Sequence, residues 1–371
     1  MKIWLVEPYL TGSHQGWAEG YQAHSCHQVR LLTLPGRFWK WRMQGGAITL
    51  ARTADSLEEE PDLLLASDML NLPVFLALAG PKMACTPIAL YFHENQLTYP
   101  MPPGEKRDLH YGFINVASAL RAGTLFFNSG YHQAEFFAEL PRLLRHFPDY
   151  NEMWVVDALR AKARVLPLGL DLVRLDAGRA AQPKSGRAVI LWNHRWEYDK
   201  DPPAFFQAIH ILVEEGLDFG LVLLGESFRN QPGEFLEARR QLGERILHFG
   251  YVDDPLDYAR WLWQSDIVVS TAIHEFFGAA VVEACYCGCF PILPRRLSYP
   301  ELVPAGMHAA CLYEEPEGLV DRLRKAVLDV AGIRSGLLRT HAAQYDWRRM
   351  APLYDKKLEE VELLRGRTAL E

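Results

Sequence analysis

Short β-rich runs alternate with helix-length amphipathic stretches along almost the whole chain. That alternation has one economical solution: parallel sheets covered by crossover helices. In the first half the strand candidates are KIWLV (2–6), HQVRLLTL (27–34), DLLLAS (62–67), PIALYFH (87–93) and TLFFNS (124–129). In the second half they are RAVILWN (187–193), FGLVLLG (219–225), RILHFG (245–250), DIVVST (266–271) and FPILP (290–294). Helical segments such as 201–216, 255–264 and 278–287 run between them. No internal repeat or low-complexity tract breaks the pattern.

The chain has 371 residues, beyond the roughly 250–300 at which a single core stops growing. The expectation is therefore two doubly wound, Rossmann-like α/β domains. The small, polar stretch AGRAAQPKSGR (177–187) is the best join between them. This divides the chain into 1–176, 177–345 and a last segment, 346–371. Two such sheets would bind ligand at the carboxyl ends of their strands, in a cleft between them. The residues that matter most then follow the strands: EPYLTGSH (7–14), HENQLTYP (93–100), NHRWEYDK (193–200), GYVDD (250–254) and AIHEFFG (272–278). Every unusual polar cluster in the chain falls at such a place.

Composition narrows the class. Apolar residues make up 49% and charged residues 23%, ordinary for a globular protein with large cores. Apolar runs are strand-sized and fall short of the 18–20 residues that span a bilayer. MKIWLVEPY reaches Glu7 too soon for a signal peptide, so a cytoplasmic location is expected. Cys26, Cys85, Cys285, Cys287, Cys289 and Cys311 form no CxxC pair and read as reduced thiols. The net charge of −7 argues against generic, charge-driven nucleic-acid binding. Yet positions 20–54 hold five basic residues and no acid.

HEFFGAAVVEACYCGC (274–289) packs one histidine, two glutamates and three cysteines together. A zinc site needs convergent ligands. On a helix from about Phe277 to the C′ glycine Gly288, Cys285 and Cys287 diverge by about 200°, so no metal is expected. Glu275 and Glu283 would lie up to about 12 Å apart along the axis, too far for a glycosidase pair. They suit an elongated ligand touched at two places, with phosphate at the amides of Phe277, Gly278 and Ala279. Carboxylates accept from hydroxyls, so the natural ligand is a sugar–diphosphate–nucleoside. WNHRWEYDKDP supplies Arg195 and Lys200, cations able to stabilise a departing diphosphate without a metal. Its plainer role is a surface loop capped at Asp199 or Asp201.

YFHENQLTYP puts His93, Glu94 and Asn95 at a strand end, where His93 could bond the transferred sugar or place a proton. In TGSH, Ser13 is a candidate helix N-cap, and the Gly12 and Ser13 amides a candidate phosphate or acceptor contact.

These residues resemble a family. Glu275, Phe277, Gly278, Glu283, Ala284, Gly288 and Pro291 match the Glu-x7-Glu signature of retaining glycosyltransferases of the GT-B fold, family-4 type. RWEYDK is similar to that family's Arg…Lys phosphate clamp. The resemblance implies that Glu275 binds donor-sugar hydroxyls and Glu283 the ribose. It implies that Arg195 and Lys200 hold the diphosphate, and that Tyr251 and Val252 flank the base. It also implies that WRRMAPLYDKKLEEVELL (347–364) is a helix crossing back to the first domain. One departure is Phe276–Phe277, where the broad family often has Gly-Phe.

GSH, FHENQLTYP, FNSGYH, HRWEYDKDP and GCFPILPRRLSYPEL narrow the resemblance to the tRNA-queuosine α-mannosyltransferase family. It implies mannose transfer from GDP-mannose to queuosine in the anticodon of an aspartate tRNA; from the residues themselves no cofactor, membrane or obligate protein partner is expected. Such an acceptor must be splayed out among aromatic side chains and phosphate contacts. GRFWKWRMQGG (36–46) interleaves Phe38, Trp39 and Trp41 with Arg37, Lys40 and Arg42, and PRLLRHF (141–147) adds Arg142 and Arg145. Either could instead be an amphipathic helix with snorkelling cations. The rival functions are transfer from another nucleotide sugar to a lipid-linked or small acceptor, and a silent RNA- or nucleotide-sugar-binding module.

Overall fold

In the computed structural model both sheets are six-stranded, and every described strand pairing is parallel. The structure describes all residues except 84, 102–103, 180–183, 185, 226–232, 335–336 and 369–371. Part of the expected join at 177–187 thus lies outside the described residues.

The chain forms two compact units: Met1–Leu170 with Trp347–Glu371, and Asp171–Asp346. The first contains β1 (Lys2–Leu10), β2 (Gln28–Pro35), β3 (Leu63–Ser67), β4 (Ile88–Phe92), β5 (Thr124–Phe127) and β6 (Ala163–Val165). Their order is β2-β1-β3-β4-β5-β6. The second contains β7 (Ala188–Asn193), β8 (Phe219–Leu224), β9 (Ile246–Gly250), β10 (Ile267–Val269), β11 (Phe290–Pro294) and β12 (Leu312–Tyr313). Their order is β12-β11-β10-β7-β8-β9. Each sheet grows first to one side of its opening strand and then to the other. The reversal leaves a ligand-binding crevice beyond the carboxyl ends of β1 and β3 in one unit, and of β7 and β10 in the other.

Strands covered on both faces should read as continuous apolar runs, and β3, β4, β5, β7 and β8 are buried at every residue. In the first core Phe92 stacks on Phe127 with ring centroids 4.7 Å apart. In the second, Trp196 stacks on Phe235 at 4.0 Å. The short edge strands β6 and β12, of three and two residues, were not expected, because a run so short has no readable period.

The unit boundary falls six residues before the expected 176/177 division. Residues 171–176 belong to the second unit because the short 3-10 helix Val173–Gly178 packs on the helix Pro255–Gln264. A Cβ on Gly178 would come within 2.5 Å of the Ala259 backbone, and Trp263 Nε1 donates to the Leu175 carbonyl at 2.7 Å.

The last helix, Trp347–Thr368, is part of the first unit. Trp347 is fully buried in a slot that two glycines leave open, since a Cβ on Gly20 or Gly169 would overlap its indole. Asp355 then accepts from Tyr21 Oη at 2.8 Å, Ser25 Oγ at 2.6 Å and the Cys26 amide at 2.9 Å. Among the described residues no helix is long and apolar enough to cross a membrane.

Candidate active site

In the second unit β7 ends at Asn193, and the next seven residues carry His194, Arg195, Asp199 and Lys200. β10 ends at Val269, and the segment 270–278 carries His274 and Glu275. The switch point brings these two loops together. Lys200 Nζ donates to the His274 carbonyl at 2.8 Å and lies 3.0 Å from Asp199 Oδ2 and 3.4 Å from Glu275 Oε2. Thr271 Oγ1 ties the loops by donating to the Lys200 and Asp201 carbonyls at 2.7 and 2.9 Å. Asp201 also caps the helix Pro202–Glu214 through the Ala204 amide.

Burial alone would lower the Lys200 pKa, but the Glu275 and Asp199 carboxylates override it and hold the ammonium above its ordinary range. Glu275 answers in the opposite sense. Burial would raise it, and Lys200 with His194 and His274 keeps it below the usual carboxylate value. His194 is pushed down to about 4 by burial and by Lys200, so it is a neutral imidazole at pH 7. The site therefore holds a fixed ammonium and a fixed carboxylate in partly water-excluded surroundings, where charge stabilisation is strongest. Arg195 differs from Lys200: its side chain is 45% exposed and lies 3.2 Å from Glu197.

The helix expected from about Phe277 begins at Ala279, with Gly278 as its N-cap at φ 97° and Gly288 beyond its end at φ 91°. Glu275 thus precedes the helix instead of riding on it, and only Glu283 is a helix residue. Phe277 and Gly278 are buried, and Ala279 is half-buried. Phe276, at the position of the departure, is buried edge-on to His274 with centroids 4.3 Å apart.

A second group of residues, missed in the sequence, braces this loop. Ser298 Oγ donates to the Phe277 carbonyl at 2.9 Å and the Glu275 carbonyl at 3.4 Å. Arg296 Nη2 donates to the Ala272 carbonyl at 3.1 Å. Glu283 is also held: Arg174 Nη2 donates to Oε1 at 2.9 Å and Tyr258 Oη to Oε2 at 2.7 Å, while Asn193 Nδ2 donates to Tyr258 at 2.8 Å. Tyr251 is 62% exposed after β9, with Val252 half-buried beside it.

Cys285, Cys287 and Cys289 are buried, and burial first of all pushes their thiols up. Cys289 Sγ points to the Leu262 and Ser265 carbonyls at 3.4 Å.

The first unit builds a different cluster. Glu7 in β1 is fully buried, and its Oε2 lies 2.8 Å from His14 Nδ1. The His14 ring packs on His93, centroids 4.1 Å apart, and Trp17 meets His93 edge-on at 4.6 Å. The His93 amide donates to Asp68 Oδ1 at 2.8 Å, and His93 Nε2 has no hydrogen-bond partner among the described residues. Burial works against charge on His14, yet Glu7, with Asp68 and Glu94 behind it, raises its pKa to about 9. His93 goes the other way, lowered well below its ordinary value by burial and by His14 and His132. The pair is one imidazolium and one neutral imidazole. Glu7, His14 and His93 offer ligand-type atoms within 4.8 Å of one another.

One expected role changes here. Ser13 does not cap: the helix begins at Gly12 (φ 51°), the N-cap position is Thr11, and no side-chain cap bond forms. Gly12 and Ser13 remain exposed. Asn95 is fully buried and its side chain shapes its own turn, accepting from the Leu97 and Thr98 amides at 3.0 Å. Glu94 is half-buried and accepts from Gln96 Nε2 at 2.9 Å.

Of the basic–aromatic stretches, Arg37 and Lys40 are exposed, Phe38 is 78% and Trp41 59% exposed, and Arg42 donates to the Pro35 carbonyl. Trp39 departs from the pattern by packing with Met43, Met69, Tyr111 and Ile114. Arg142 pairs with Glu139 at 3.0 Å, and Arg145 is exposed.

Residues 176–335 match the glycosyl transferases group 1 family, and the two-unit Rossmann-like chain is accordingly a glycosyltransferase. Residues 2–170 match the N-terminal family of tRNA-queuosine alpha-mannosyltransferases. The chain is 33% identical over 310 residues to the Drosophila melanogaster tRNA-queuosine alpha-mannosyltransferase, covering 81% of each; it belongs to that family. It is 25% identical over 300 residues to a GDP-mannose-dependent alpha-(1-6)-phosphatidylinositol dimannoside mannosyltransferase of Mycobacterium tuberculosis, covering 78% of this chain and 72% of that protein. In fold it is similar to sucrose-phosphate synthase from Thermosynechococcus elongatus, with a TM-score of 0.71, 15% identity and full coverage of both chains.

Proposed function

We propose that this chain transfers mannose, with retention, from GDP-mannose to queuosine in the anticodon of an aspartate tRNA. The observation that carries the reading is the 33% identity over most of the chain to a relative named for mannose transfer to tRNA queuosine. A GDP-mannose-dependent relative at 25% identity supports the donor.

In this reading Glu275 bonds hydroxyls of the donor sugar and Glu283 those of the ribose. Lys200, Arg195 and the Gly278 helix start receive the diphosphate, while Tyr251 and Val252 flank the base. The bond from mannose C1 to the diphosphate oxygen breaks, and GDP leaves with the electron pair toward the cations. The acceptor hydroxyl oxygen bonds C1 from the same face, and its proton passes to the departing diphosphate. Lys200 is suited to this because its charge is fixed before the reaction, so no reorganisation is needed as the diphosphate leaves. Neutral His93 bonds a sugar hydroxyl, Glu94 and Asn95 help bind the donor, and the Gly12 and Ser13 amides contact the donor phosphate or the acceptor. Arg37, Lys40, Trp41, Arg42, Arg142 and Arg145 are the RNA contacts, no metal takes part, and the site of action is the cytoplasm.

The test is incubation with queuosine-containing tRNA and a set of labelled nucleotide sugars. Label moving from GDP-mannose into a tRNA nucleoside is the expected result. Turnover of donor only with lipid or small-molecule acceptors would refute it.

A further inference from the structure

The two basic–aromatic stretches of the first unit are about a hundred positions apart in sequence, yet each makes a ring contact with the same helix, to which neither belongs. Lys40 Nζ lies 5.6 Å over the Trp39 ring. Trp39 meets Tyr111 at 5.1 Å, and Tyr111 meets His110 at 5.8 Å. His110 and Phe113 are three apart on the helix Leu109–Arg121, hence on one face. Phe113 contacts Phe147 at 5.8 Å, next to Arg145 and His146. The two helices pack at this point, where a Cβ on Gly112 would make ordinary contact with Leu143 Cδ2 at 3.6 Å.

Two properties of this band need explaining. Its aromatic members are costly to leave in water, yet Phe38, Trp41, Phe113 and Phe147 are 78%, 59%, 47% and 40% exposed. Phe38 is also held at φ 55°, a conformation bulky residues avoid. Cations punctuate the band: Arg37, Lys40 and Arg145 are exposed, and none makes an ion pair among the described residues. A chain of net charge −7 has gathered unpaired positive charge where it exposes ring faces. An apolar protein partner would gain nothing from the cations. Stacking faces with interleaved cations match a nucleic-acid strand whose bases are unpaired.

We propose that His110, Phe113 and Phe147 join the two stretches into one stacking surface for the unpaired bases of the RNA acceptor, with Arg37, Lys40 and Arg145 on its phosphates. This rests on the RNA-acceptor reading above. Phe113 and Phe147 are the new residues of the contact, and they act on bases without regard to sequence, because every base has a π face.

The test uses the full chain and a fluorescein-labelled queuosine-tRNA anticodon stem-loop, titrated by anisotropy over a series of salt concentrations. The variants are Phe113→Ala/Phe147→Ala, the rescue Phe113→Trp, and Arg145→Ala. The double variant should bind about 5–150-fold more weakly for each stacked base lost, with an unchanged melting temperature and salt slope. Phe113→Trp should keep wild-type affinity, and Arg145→Ala should lower the salt slope by about one. Wild-type affinity in the double variant, with RNA bound, overturns this surface and leaves the acceptor reading standing. A wild-type chain that binds no RNA overturns the acceptor reading itself. Phe113-dependent capture of phosphatidylserine vesicles without RNA binding assigns the band to a membrane and overturns the proposal.

Discussion

The Lys200 ammonium lies 3.4 Å from the Glu275 carboxylate in a place where only 8% and 23% of the two side chains reach solvent. Each holds the other in its charged form, and both were separated in sequence by 75 residues.

Removing either partner should therefore do two things. Transfer should fall at least about 100-fold in Lys200→Ala and Glu275→Gln, as for loss of one electrostatic stabiliser. Lys200→Ala should also cost about 3–5 kcal/mol, because Asp199 and Glu275 are left without their cation, lowering Tm by roughly 6–20 °C. The Lys200 pKa is raised and that of Glu275 lowered. The pair's contribution is thus present between the ordinary values of 4.5 and 10.5. It is lost as pH falls through the depressed Glu275 value or rises through the elevated Lys200 value. A Lys200→Ala protein melting like wild type would remove the pair from the account.

His14 should titrate near 9, against an ordinary 6.5. A raised imidazole pKa stabilises the fold fully below the unfolded value of about 6.5, and that contribution fades as pH climbs toward about 9. It amounts to about 3 kcal/mol. Proton NMR of the imidazole and Tm as a function of pH read it. Glu7→Gln should bring the titration down by at least a unit; an unmoved His14 curve would break the assignment to Glu7.

Tyr258→Phe removes one of the two donors that orient Glu283. A hydrogen bond to a charged group is worth about 1.5–3 kcal/mol, so GDP affinity by calorimetry should drop about 10-fold or more. kcat at saturating donor should change little, since the contact is made equally in ground and transition state. An unaltered GDP Kd would mean that the nucleotide does not use Glu283.

Gly278→Ala should cost about 1–3 kcal/mol from its φ of 97° alone, and the new methyl would meet Leu302 Cδ1 at 2.9 Å. Pairing it with Leu302→Ala in a double-mutant cycle should recover the steric part and leave the backbone part. Full recovery of Tm would show that conformation was never the constraint.

The long buried strands and the switch-point loops were legible because apolar runs and polar clusters are local properties. Glu275, Lys200, Gly278 and Glu283 could be singled out for the same reason. What supports them could not: Arg174, Tyr258, Arg296 and Ser298 are ordinary surface-type residues until the fold brings them to Glu283 and the 274–278 loop. His14 was hidden behind Ser13, whose apparent capping pattern is displaced by a helix starting two residues earlier. Trp39 reads like its exposed neighbours Phe38 and Trp41, and only the position of Tyr111 on a different helix turns it inward. The turn that the Asn95 side chain forms was not legible, because nothing in HENQ distinguishes a turn-forming amide from a binding one.

The slot that receives Trp347 belongs to a unit of which residues 1–170 come first in the chain and 347–371 last. During vectorial synthesis the ribosome therefore releases a sheet with an unfilled indole-sized groove between Gly20 and Gly169, and the whole second unit must emerge before the plug arrives. The N-terminal unit is the first to begin folding and the last to finish, so a truncated or stalled product would be defective in the half it has apparently completed.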